Sequence, residues 1–149
     1  MLGISIYKEY CINISKYHIM EMKIVLGEKQ KVIAKYKGFE IITDQPERAG
    51  GENSAPSPFD FFLISIGTCA GWYVKSFCQQ RNLSEEGISV SMTTHRNPES
   101  RMIEKMDIDI RLPQDFPDKY RDAVVKAANA CTVKKHISNA PEFSIATSK

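Results

Sequence analysis

From Met22 the chain alternates apolar and polar positions in three short runs, MKIVL, KVIAKY and FEIITD, separated by GEKQ and KG. Side chains of a strand point alternately to its two faces, so this alternation predicts three strands in a meander. YKGF predicts a tight hairpin between the second and third. The next stretch, QPERAGGENSAPSP, is rich in Pro and Gly and predicts a loop. At its end Ser57 suits an N-cap and Pro58 the first helical position. Asp60 stands where a capping-box carboxylate reaches back. One helix then runs to Arg81 or Asn82, before LSEEG. Its first half, Phe59 to Ala70, is apolar on nearly all sides apart from Asp60, Ser65 and Thr68. That is the pattern of a helix buried all round. A chain of 149 residues has little else to surround such a helix, so a second subunit is the expected cover.

In GISVSMTTHR, Ile88, Val90 and Met92 alternate with serines; in KMDIDIRL, Met106, Ile108, Ile110 and Leu112 share a parity. Both patterns predict half-buried strands, joined by the turn NPES. QDFPDKYRDAVVKAANA predicts a helix opened by Pro117, with Val124, Val125 and Ala128 as its apolar stripe. CTVKKHIS reads as a further helical turn or two, APEF ends it, and FSIATS predicts a last strand. Residues 1–21 read either as an N-terminal extension or as an edge strand, with Met20 and Met22 as alternative starts; residues 22–149 read as a single domain. The order βββ-α-ββ-α-α-β is α+β and excludes a wound parallel sheet.

Charge changes little. A net charge of +2, with no Lys/Arg cluster along one expected helix, gives no reason to expect nucleic acid as a partner. Lys31, Lys35 and Lys37 share a parity and read as a solvated strand face. No continuous apolar run approaches about 18 residues, so no membrane span is expected. No secretory signal pattern is visible either, and a reduced, cytoplasmic setting is the expectation. His18, His95 and His136 are scattered and no CxxC occurs, so neither a metal site nor a bound cofactor is expected.

The cysteines carry the candidate chemistry. They are Cys11, Cys69, Cys78 and Cys131. Cys69 and Cys78 would sit on one helix, about 900° and roughly 13 Å apart, and would face opposite ways. Cys78 reads as a buried side chain. Any thiol partner of Cys69 must come from another element, and Cys131 is the candidate. Placed at the junction of two helical segments, with Lys134 and Lys135 close by, Cys131 would see the positive end of a helix dipole, which favours thiolate. Gly67 and Gly71 flank Cys69, although Gly inside a helix costs about 1 kcal/mol against Ala. They suggest close approach of another element or of a substrate; helix packing alone is the other reading. From these residues Cys69 is either a nucleophile or a packing residue. Phe59, Phe62, Trp72 and Tyr73 read first as core.

Two stretches together, GGENSAPSPFDFFLISIGTCAG (50–71) and AANACTVKKHIS (127–138), resemble the osmotically inducible protein C and organic hydroperoxide resistance (OsmC/Ohr) family. The first matches its Gly/Pro-rich loop entering a buried helix with the first cysteine; the second matches the context of its second cysteine. The resemblance covers Met22 to the end of the chain. It implies an intertwined homodimer, with antiparallel sheets wrapped around long central helices. It also implies a cysteine-based hydroperoxide reductase serving the oxidative stress response. By that resemblance Cys69 is peroxidatic and Cys131 resolving, and Arg48 lowers the pKa of Cys69. At the family's Glu position this chain has Phe59, so Asp60, next to it, or Glu52, from the loop, would orient the Arg48 fork. The family further implies an external dithiol reductant of lipoyl type, and the aromatic surroundings favour organic over hydrogen peroxide. The alternative is a non-catalytic or weakly catalytic dimer that binds a thiol-bearing or acyl carrier small molecule. A structural stress protein with vestigial cysteines is a third reading.

Overall fold

The computed structural model describes residues 19–148. Cys11, His18 and most of the segment that reads as an extension or edge strand lie outside the described residues. Where the sequence reads as one domain over 22–149, the chain forms two compact units, divided between Pro58 and Phe59.

The first unit holds an antiparallel sheet of β1 (Lys23–Leu26), β2 (Val32–Tyr36) and β3 (Phe39–Thr43), in that order. The YKGF hairpin forms as expected: Tyr36 pairs with Phe39, and Lys37 and Gly38 both take positive φ, at 50° and 81°. Two such residues give a turn whose twist matches that of the strands it joins. The loop after β3 carries a short 3-10 turn, Glu47–Ala49.

α1 (Pro58–Gln79) opens at the boundary between the units. In the second unit, β4 (Ser89–Arg96) and β5 (Ile103–Arg111) form an antiparallel pair. Their register sets Val90 against Ile110 and Met92 against Ile108, so the apolar parity of both strands shares one face. A 3-10 turn, Asp118–Tyr120, leads into α2 (Arg121–Asn129), and α3 (Thr132–Ser138) follows after one corner. The core joins Val74, Phe77 and Cys78 of α1 to Phe116 and to Val124 and Ala128 of α2, with Val90 and Ile110 packed against it. Tyr120 meets Phe77 edge-on at 5.9 Å between ring centroids. The architecture is therefore mixed α+β with antiparallel sheets.

Three points bear on the sequence reading, and the last of them corrects it. The first half of α1 is not buried within the chain: Phe59 is 48%, Ile64 46% and Trp72 60% exposed. The buried residues of α1 are Ile66, Ala70, Val74, Phe77 and Cys78. Second, α1 is long and apolar enough to cross a membrane by length and composition, with a mean hydropathy of 1.3 over 18 residues, 28% of that window being buried. Ser65 and Thr68 interrupt the apolar run without lowering its mean far. Their hydroxyls are absorbed by the carbonyls of Phe62 and Ile64, at 2.7 Å each. Third, FSIATS is not a strand. Residues 140–148 have no regular structure, with Phe143 86% and Ile145 96% exposed. Alternation favours a strand only where a ladder partner is present.

Candidate active site

Cys69 lies in the middle of α1, half-buried; Cys131 is fully buried at the corner between α2 and α3. As the N-cap of α3, Cys131 takes an extended backbone (φ −45°, ψ 121°), and its Sγ accepts the Lys134 N–H at 3.5 Å. Both thiols are reduced, and they lie close enough for each to shift the other's pKa. The backbone of Val133 and Thr132 also lies close enough to Cys69 to favour its charged form. The first turn of α3 is therefore aimed at the sulfur of α1.

This arrangement decides which sulfur carries charge. Burial alone would raise the Cys69 thiol, but the hydrogen bonds from Cys131, Val133 and Thr132 outweigh it and leave its pKa below that of an ordinary thiol. The Cys131 thiol is pushed up by burial first, then by giving its proton to Cys69, with the Lys134 amide opposing. Of the two, Cys69 is the thiol that gives up its proton more readily. The sequence reading, in which the helix dipole and Lys134 make Cys131 the thiolate, is corrected on this point. Two first-turn amides serve Cys69 instead, and the Lys134 ammonium donates to Asn129 Oδ1 at 2.7 Å.

Sequence reasoning counted Tyr73 among the aromatic surroundings and missed its polar contact. The Tyr73 hydroxyl hydrogen-bonds Thr132 Oγ1 at 2.9 Å. Its place four residues after Cys69 was the available signal, since i and i+4 share a helix face. Trp72 packs against the Tyr73 ring, centroids 4.9 Å apart, and Phe59 and Phe62 pair at 5.6 Å. With Phe59 and Trp72 about half exposed, these two aromatics are not core residues of this chain.

Among the described residues nothing of this chain closely approaches Gly67 or Gly71: a Cβ at either would meet nothing within 4 Å. Two residues along a helix is about 200°, so both glycines face away from Cys69. With Val74 and Cys78 they line a cavity of about 580 Å³ walled by Ile88, Val90 and Met92. Cys78 sits at this cavity with its thiol pushed up by burial, as an inert core sulfur should be.

In the first unit, the loop after β3 closes around Asp44, which is fully buried. Its carboxylate accepts N–H bonds from Gln45 (2.8 Å), Glu52 (3.1 Å) and Ser54 (3.0 Å), and the Ser54 hydroxyl at 2.8 Å. These bonds, the Ser54 amide foremost, hold it well below the usual carboxylate range. Gly51 presses on this loop so tightly that a Cβ would fall 1.8 Å from the Gln45 carbonyl oxygen. Sequence reasoning also missed Asp44, whose only signal is an Asp at a strand end before a Pro-containing turn. Arg48 lies in the 3-10 turn of this loop. Glu52 is engaged by Lys29 and, at 2.9 Å, by Lys31, which hold its pKa down, rather than by the expected Arg48. Asp60 stands in the first turn of α1. Among the described residues, no group of three or more His, Cys, Asp or Glu is placed to hold a metal ion.

A family model described as OsmC-like protein matches residues 51–146. Solved structures with the same fold include a Psychrobacter arcticus protein described as osmotic stress induced and of the detoxification response. It is 22% identical, with a TM-score of 0.67 over 80% of this chain and 88% of that one. An Aquifex aeolicus protein described as hypothetical is 19% identical, with a TM-score of 0.64 over 83% and 90%. An organic hydroperoxide resistance protein OsmC from Legionella pneumophila is 17% identical, with a TM-score of 0.50 over 80% and 89%. No curated protein is significantly similar to this chain in sequence.

Proposed function

Since the chain belongs to the OsmC-like protein family, we propose that it is a thiol peroxidase that reduces hydroperoxides through Cys69 and Cys131. The observation that carries this reading is the nearness of the half-buried Cys69 thiol, its pKa lowered, to the fully buried Cys131 thiol at the α2–α3 corner, its pKa raised. The Cys69 thiolate attacks the distal peroxide oxygen and the O–O bond breaks. Cys69 becomes a sulfenic acid, and the alkoxide takes a proton and leaves as an alcohol. Cys131 then displaces hydroxide from the sulfenic sulfur, giving a Cys69–Cys131 disulfide and one water. An external dithiol, of lipoyl type by family resemblance, restores both thiols and is itself oxidised to a disulfide.

Arg48 is assigned the cation that assists Cys69. A guanidinium keeps its charge where an ammonium would lose it on burial. By family resemblance Asp60 or Glu52 would be the acid that orients it. The half-exposed Phe59 and Trp72 favour an organic substrate. The proposal includes a homodimer in a reduced, cytoplasmic setting. The apolar surface of α1 at Phe59, Ile64 and Trp72 is of the kind a second copy covers.

The test supplies an organic hydroperoxide and a dithiol and follows peroxide loss for wild type, Cys69→Ser and Cys131→Ser. Wild type is expected to turn over and Cys69→Ser to fall to background; equal loss in all three removes the enzyme reading. Light scattering of the purified protein is expected to give twice the chain mass, and a monomer would refute the dimer.

A further inference from the structure

The corner between α2 and α3 is tied to α1 at two places. One is the sulfur of Cys69, whose charged form is favoured by the neighbouring backbone of Thr132 and Val133. The other is Tyr73, whose hydroxyl meets Thr132 Oγ1 at 2.9 Å. A helix advances about 100° and 1.5 Å per residue, so Tyr73 lies about one turn beyond Cys69 on nearly the same face. Thr132 is the residue directly after Cys131. Other bonds, from Lys134 Nζ to Asn129 Oδ1 and between His136 Nδ1 and the Thr132 carbonyl, stiffen the corner from within. The Tyr73 bond instead crosses from the corner to α1.

The two ties respond differently to oxidation. When the Cys69 thiolate becomes a sulfenic acid, its negative charge is gone and its sulfur carries a new oxygen. The amide bonds to that sulfur weaken, because hydrogen bonds to charged acceptors are about twice as strong as neutral ones. The Tyr73–Thr132 bond involves neither sulfur and persists. We propose that Tyr73 is a positioning residue for disulfide formation. Through Thr132 it keeps Cys131 against Cys69 after the thiolate charge is lost, so that condensation outruns a second oxidation to sulfinic acid. The inference rests on the peroxidase reading above. The step it serves is Cys69–SOH plus Cys131–SH giving Cys69–S–S–Cys131 plus water.

The variants are Tyr73→Phe and Thr132→Val, which remove the bond, and Thr132→Ser, which keeps a hydroxyl in place. One measurement needs no peroxide: equilibrium of the Cys69–Cys131 disulfide with glutathione, which reads the effective concentration of one thiol at the other. Tyr73→Phe and Thr132→Val are expected to lower it about 2- to 12-fold, the worth of one neutral hydrogen bond, and Thr132→Ser to leave it within error of wild type. The second is a pulse of cumene hydroperoxide followed by mass spectrometry of Cys69. The ratio of sulfinic acid to disulfide is expected to rise by the same factor, with the first oxidation unchanged in rate. A Tyr73→Phe protein that matches wild type in both, or a Thr132→Ser protein that behaves like Thr132→Val, overturns the inference alone. A wild type that forms the disulfide with glutathione but never with peroxide overturns the peroxidase reading and this inference together.

Discussion

Replacing Cys131 by alanine removes one of three hydrogen-bond donors to the Cys69 sulfur and leaves the amides of Thr132 and Val133. A hydrogen bond to a charged group is worth about 1.5–3 kcal/mol. A thiol is a weak donor, which selects the lower end, about 1.5 kcal/mol. That is roughly a tenfold fall in the ratio of thiolate to thiol at Cys69. The more basic thiolate is also the better nucleophile, with a Brønsted slope of about 0.4–0.5, which returns roughly threefold. The net expectation is alkylation of Cys69 by iodoacetamide about three- to fourfold slower in Cys131→Ala than in wild type, at pH values below both thiol pKa values. The pH profile of the rate moves to higher pH, because the folded-state thiolate has lost support. Serine, which keeps a donor, restores part of the difference. The assay is peptide mass spectrometry over a pH series, with Cys69 and Cys131 quantified separately. Equal rates for wild type and Cys131→Ala, or alkylation of Cys131 ahead of Cys69 in wild type, would refute the assignment of charge and proton.

Two further outcomes are expected. The depressed folded-state pKa of Asp44 means that its contribution to stability is fully present above the usual carboxylate range and is lost as pH falls below about 5. Urea midpoints over an acid pH series should therefore fall more steeply for wild type than for Asp44→Asn, and parallel slopes would contradict the buried, amide-held carboxylate. Gly71→Ala should stabilise the protein by up to about 1 kcal/mol, because the added methyl meets open space in α1. Thermal denaturation reads this directly, and a loss of stability would mean that another chain fills the cavity at that point.

The features legible in the sequence were those that local physics dictates. The YKGF hairpin, the Ser57–Pro58 helix start and the parity of Met106, Ile108 and Ile110 each follow from neighbours a few residues away. The meeting of Cys69 and Cys131 was approached by elimination on helix geometry and then supplied by family resemblance, and the two thiols lie near enough to shift one another's pKa. Which of the two holds the proton was not legible, because it depends on where the amides of Val133 and Thr132 point. The glycines misled for a related reason: adjacency to Cys69 in sequence is opposition around a helix, and Gly67 and Gly71 line a cavity on the far side. Asp44 and Tyr73 were missed because their partners, Ser54 and Thr132, are 10 and 59 residues away in sequence. The family resemblance offered Asp60 or Glu52 as the partner of Arg48, and the ion pairs of Glu52 with Lys29 and Lys31 of the β1–β2 turn were not legible, because those partners are more than 20 residues away in sequence.

The full burial of Cys131 beside a half-buried Cys69 has a consequence for recycling. Once the two sulfurs are joined, an incoming reductant has access to one end of the bond, so the mixed intermediate forms on α1 and the departing sulfur is the one in the interior. That sulfur is a reluctant leaving group, since thiols of high pKa depart slowly. A monothiol bound to Cys69 would then be readily expelled by the returning Cys131. On the proposed cycle, a reductant with a second sulfur of its own would complete the exchange before that reversal, so the asymmetry of the pair would favour two-sulfur donors without any dedicated recognition surface.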